Sequence, residues 1–159
     1  MTPSNQSSTQ PSLQAPARNS LVMRLLTAIV GVSFIGFVDS AYLLADHYFK
    51  LPLPCSVTNG CEAVLTSPYA MVGPIPLAFF GVVYYIVVIF FALYLYTEAS
   101  ISRTQILMMF ALTLVGFLMS IVFMSIQTFL IGAICMYCAL SALCTLVSFG
   151  LGTTLARIK

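Results

Sequence analysis

The sequence predicts an all-α integral membrane protein, a bundle of four transmembrane helices, and three observations carry that reading. The first is composition: 60% of the 159 residues are hydrophobic and 6% charged, with a mean hydropathy of +1.05, whereas soluble domains are roughly a quarter charged. So few charges cannot coat a globule, but lipid is as apolar as the side chains themselves. The second is the length of the apolar runs, about 20 residues each, enough for a helix to cross the hydrocarbon core with its backbone satisfied internally. The third is the position of the charges, which assigns sides to the ends of those runs. The net charge of +2 forms no patch suited to nucleic acid.

Residues 1–20 are rich in Ser, Thr, Gln, Pro and Asn and read as a flexible cytoplasmic tail, too polar to repay ordering. Residues 21–159 form the membrane domain, with helices expected at about 25–48, 76–97, 105–127 and 131–156. The first apolar run is longer than a signal-peptide core and no small-residue cleavage site follows it, so it is expected to remain as a helix. Pro76 suits the first turn of the second helix, where a missing N–H costs nothing.

Residues 104–156 carry no charge, too long a stretch for one span and right for two joined by a turn near residues 127–132. Arg18, Arg24, Arg103, Arg157 and Lys159 then share one side, and Lys50 stands alone on the other. That asymmetry places both termini in the cytoplasm. The loop of residues 49–75 and the turn before the fourth helix then lie on the outer side, in the compartment where disulfides persist.

Four of the five cysteines fall into two pairs, Cys55 with Cys61 on that loop and Cys135 with Cys138 at the expected start of the fourth helix. In Cys135-Met136-Tyr137-Cys138 the two thiols share a helical face. The positive end of the helix dipole favours a thiolate, at the first cysteine in particular. Residues 56–60 between the loop cysteines are polar and turn-forming, which suits exchange. One mobile pair and one embedded pair on the same face make a thiol–disulfide relay.

The plainer readings are two structural disulfides, or thiols that bind metal; zinc sites usually recruit four Cys or His ligands, and His47 is not placed to help. A heavy-metal transporter also uses paired cysteines at a membrane entrance, and it predicts metal-dependent flux. Asp39 is ionisable inside the first helix, at a cost of about 3 kcal/mol unless it faces the bundle. It reads as a proton relay or as a hydrogen-bond partner of Ser40 or Tyr42. Asp46 and His47 read as boundary residues and Cys144 as a buried, inert thiol. Phe79, Phe80 and the Met-rich third helix could line a ligand pocket, but such residues at helical spacing are more often ordinary packing and are not assigned.

The chain resembles the vitamin K epoxide reductase family, in particular its bacterial members. The resemblance runs over Gly36-Phe37-Val38-Asp39-Ser40-Ala41-Tyr42-Leu43, then Cys55 and Gly60-Cys61-Glu62-Ala63-Val64-Leu65-Thr66-Ser67. It continues through Gly73-Pro74-Ile75-Pro76 and Phe80-Gly81 to Cys135-Met136-Tyr137-Cys138, covering about residues 25–155.

It implies a four-helix bundle enclosing a quinone (ubiquinone, menaquinone or phylloquinone) near the outer face, beneath a short surface helix in the first outer loop. It also implies that Cys138 acts on the quinone, that Cys135 exchanges with the loop pair, and that Cys55 and Cys61 bring electrons from a thioredoxin-like partner. Ser67 falls where the family has a Ser or Thr that positions loop and quinone, or it serves as an ordinary helix cap. The asparagine and tyrosine that bind vitamin K in the vertebrate enzymes fall at Leu77 and Ala142, so plain quinone reduction is expected rather than epoxide reduction. Because Lys159 follows the fourth helix so closely, the expected partner is a separate periplasmic thioredoxin-like (DsbA-like) protein. Net oxidation of that partner would support disulfide formation in exported proteins, with no metal required, and would place the protein in a bacterial inner membrane with both cysteine pairs at its periplasmic side.

Overall fold

The computed structural model describes residues 20–49, 60–98 and 100–158. Residues 1–19 of the expected tail at 1–20, together with Lys50, Cys55 and Lys159, lie outside the described residues, and Ser20 already belongs to the first helix. Helix α1 runs over Ser20–Phe49, α2 is a short helix over Gly60–Leu65, and a 3-10 turn covers Pro68–Ala70. Strands β1 (Met71–Val72) and β2 (Ile75–Pro76) form a small antiparallel hairpin that leads into α3. Helices α3 (Leu77–Thr97), α4 (Arg103–Ser125) and α5 (Met136–Ile158) complete the bundle.

Among the described residues, four segments are long and apolar enough to span a bilayer: α1, α3, α5 and residues 103–131, in which α4 is prolonged. Large apolar side chains point outward along them, Phe90 at 70% and Phe34 at 58% exposure, which fits a lipid-facing surface and no water-facing one.

Local chemistry sets the helix ends. Ser102 and Gln105 close a reciprocal capping box at the start of α4: Ser102 Oγ accepts from the Gln105 N–H at 3.3 Å and Gln105 Oε1 from the Ser102 N–H at 2.8 Å. At the far end α4 does not stop at a turn near residues 127–132 but continues as a π-helical turn over Ile126–Ile131. Gly132, with φ +70°, ends it by adopting the left-handed conformation that glycine tolerates. The fourth span therefore starts at Met136 rather than near residue 131, and the connection shrinks to residues 132–135.

One end of the bundle is a solid apolar plug: Val22, Leu25, Leu26 and Ile29 of α1 meet Val88, Ala92 and Leu95 of α3, Ile106 and Met109 of α4, and Leu155 of α5. Small residues let the helices approach closely elsewhere, as at Gly36, where a Cβ would overlap the Tyr85 ring. Tyr85 in turn anchors α3 to α5 by donating its hydroxyl proton to the Ser141 carbonyl at 2.9 Å. The helix pairs α1–α3, α4–α5 and α1–α5 pack extensively, whereas α3 and α4 touch over much less of their length. At the end away from the plug that loose seam widens into a cavity.

Candidate functional site

The site is assembled where α2, the π turn and the first turn of α5 meet. Cys135 stands one residue before α5, and its carbonyl accepts the Ala139 N–H at 3.0 Å, the first bond of the helix. It is thus an N-cap residue, whose side chain faces the unpaired N–H groups of the next residues. Its thiol is drawn down to about 6: the Cys138 thiol donates to it, and the backbone N–H groups of Cys138 and Tyr137 and the Cys61 thiol add to this, against an opposing effect of burial. These surroundings favour the thiolate at Cys135, the first cysteine of the motif and the one at the helix start.

Cys61, on the first turn of α2, is fully buried and packs with Val64 against Cys135, with Ile131, Ala133, Tyr137 and Cys138 around them. The approach depends on Gly60, because a Cβ there would stand 2.6 Å from the Ile134 carbonyl oxygen. Of the loop pair, Cys61 is thus brought to the C-x-x-C motif, while Cys55 lies outside the described residues. Cys135 and Cys138 are free thiols.

The two sulfurs of the motif face different ways. Cys138 lines a cavity of about 460 Å³ between α3, α4 and α5; Cys135 does not, and none of its surface is exposed. The cavity falls within the usual size of small-molecule sites, about 300–1,000 Å³. Its walls are mostly apolar and include Leu77, Phe80, Met119, Phe123 and Ala142, with Ser67 and His47 also contributing. An apolar ring of quinone size fits such walls beside the Cys138 sulfur, and Leu77 and Ala142 offer it no polar group.

The remaining candidate residues divide. Ser67 lines the cavity and also donates its hydroxyl proton to the Val64 carbonyl at 2.7 Å, tying off the end of α2. It precedes the 3-10 turn but makes no side-chain capping bond there. Asp39 is 6% exposed and does not line the cavity, although its neighbour Ser40 does. Neither carboxylate oxygen has a hydrogen-bond partner among the described residues, so the bond to Ser40 or Tyr42 does not form. The carboxyl group lies within electrostatic reach of Cys135, Cys138 and Cys144. Cys144 is buried, as expected of an inert thiol.

Four residues at the site carry no assigned role in the sequence reading. His47, taken as a boundary residue, reaches the cavity, as do Phe80 and Met119, taken as packing. Gln127, taken as a turn marker, is 4% exposed, and its Oε1 accepts the Cys135 N–H at 3.0 Å. An amide deep in an otherwise apolar run was the available signal, since a buried polar group in a membrane span requires a partner.

Fold and site together define a four-span membrane protein whose dithiol sits between a buried loop cysteine and an apolar cavity. The sequence model of the vitamin K epoxide reductase family matches residues 27–153, most of the chain, and the protein belongs to that family. It is accordingly a membrane oxidoreductase of thiols and disulfides, from a family that uses quinones and generally works with thioredoxin-like partners. No curated protein matches the sequence.

Proposed function

We propose that the protein oxidises a separate thioredoxin-like protein in the periplasm and passes the electrons to a membrane quinone, supporting disulfide formation in exported proteins. The observation that carries this reading is the division of labour within the C-x-x-C motif: Cys135 packs against Cys61, whereas Cys138 opens on the cavity.

The chemistry balances as two dithiol–disulfide exchanges. The reduced partner transfers two electrons to the Cys55–Cys61 disulfide, leaving both loop thiols reduced. Cys61, as thiolate, then attacks the Cys135 sulfur of the Cys135–Cys138 disulfide; a Cys61–Cys135 bond forms and Cys138 leaves as thiolate. Cys55 attacks Cys61, the loop disulfide re-forms, and Cys135 is released. Bound in the cavity, the quinone supplies the two-electron acceptor that regenerates the Cys135–Cys138 disulfide and becomes quinol, taking up two protons. Ser67 holds the cap of α2 at the cavity wall. Asp39 relays a proton towards the sulfurs, and Asp39→Asn is expected to slow turnover with disulfide exchange intact; full turnover in that variant removes the relay.

Both cysteine pairs face the periplasm in this reading, with the termini in the cytoplasm. The test uses purified protein, a reduced thioredoxin-like donor and a short-chain quinone. Quinone is expected to be consumed stoichiometrically and Cys138→Ser to abolish consumption; consumption untouched by that substitution contradicts the proposal.

A further inference from the structure

Gln127 has a place in the site that the relay alone does not explain. It sits on the second residue of the π turn, a register that departs from the helical ladder and recurs at functional sites. The turn re-aims a side chain that an uninterrupted α-helix would carry elsewhere. Its backbone carbonyl accepts from Gly132 and from Ala133, the latter at 3.2 Å, so the residue is held from below. Its side-chain Oε1 is committed to the Cys135 N–H at 3.0 Å. With the oxygen fixed there, the amide cannot flip, and its NH2 is the end that remains to meet other groups. Cys138, one helical turn beyond Cys135, borders the same cavity as the Gln127 side chain, which lies within electrostatic reach of its thiol.

We propose that Gln127 is a positioning residue for the cavity-facing sulfur: locked by the Cys135 backbone, its amide NH2 points at Cys138 and stabilises the thiolate released there when Cys61 attacks Cys135. The inference rests on the relay proposed above. In the resting dithiol, negative charge sits on Cys135, with the Cys138 thiol donating to it. Once Cys135 is bound to Cys61 that charge is gone, and the electron pair of the broken bond resides on Cys138. A leaving thiolate in a largely apolar cavity needs a donor, and a buried anion without one is costly. Gln127 supplies that donor without moving. One amide thus ties the backbone of the first cysteine to the sulfur of the second.

The test reads Cys138 without quinone or partner, so it fails or succeeds independently of the relay. In full-length protein carrying Cys135→Ser, the pH dependence of Cys138 alkylation is followed by mass spectrometry of its peptide. Adding Gln127→Met, which removes both hydrogen bonds, is expected to raise the midpoint by about one pH unit or more. Gln127→Glu keeps the size and the acceptor for the backbone N–H of residue 135 but replaces the donor with a negative charge, and it is expected to raise the midpoint further. This second variant guards against a packing artefact in the first. An unmoved midpoint in Gln127→Glu overturns the proposal, as does a midpoint lowered in either variant. Failure of the relay itself would show separately, as quinone consumption by Cys138→Ser.

Discussion

Cys135 illustrates how a single position acquires reactivity from its surroundings. It lies at a helix start, where unpaired N–H groups await an acceptor, and the Cys138 thiol provides the largest share of its stabilisation as an anion. Because the thiol is lowered to about 6, the anion prevails above that pH and is lost below it. In reduced protein, alkylation of Cys135 is expected to rise through pH 6 and level off by neutrality. In Cys138→Ala the rise is expected to move towards the ordinary thiol value of about 8.5; an identical profile in both proteins would remove Cys138 as the cause. Tyr85 offers a contrasting case, a hydroxyl whose role is to join helices. Tyr85→Phe loses the bond to Ser141 and is expected to cost about 1 kcal/mol in unfolding measured in detergent, with the cysteine chemistry unaffected.

At the scale of elements, the contact between α2 and the start of α5 governs exchange. Gly60→Ala places a Cβ against the Ile134 carbonyl and pushes Cys61 away from Cys135. Cys61–Cys135 exchange is expected to slow on the order of tenfold to a hundredfold, since small misplacements of reacting atoms are costly. Circular dichroism should report an unchanged bundle, and undiminished exchange would show that α2 adapts. The sequence disclosed the four spans because lipid imposes length and apolarity on every one of them, and it disclosed the C-x-x-C motif at a helix start. It did not disclose the π turn: shifting from i+4 to i+5 bonding leaves no mark on composition, and only the packing of Gln127 against Cys135 reveals the register. For the same reason the fourth helix begins five residues later than its apolar run suggested. Lining residues such as Met119 were hidden too, because a side chain facing a cavity and one facing a neighbouring helix look alike in sequence.

Across the whole molecule, the plug and the cavity occupy opposite ends of the bundle. Val22 to Ile29 of α1 pack with the far halves of α3 and α5, closing the end that carries Arg24, Arg103 and Arg157. The cysteines gather at the other end, under α2. If the basic end is cytoplasmic, as proposed, a membrane-impermeant thiol reagent is expected to label a cysteine placed at Tyr69, an exposed position beside α2, from the periplasmic side in intact cells. Labelling only after the inner membrane is opened would reverse the orientation.

All of this depends on which sulfur of the motif meets the loop, and peptide mapping of trapped disulfides reads that directly. In Cys55→Ser protein, the exchange cannot be completed and the bond to Cys61 accumulates. The expected product links Cys61 to Cys135 and leaves Cys138 open to alkylation; a link from Cys61 to Cys138, or no link at all, contradicts the account.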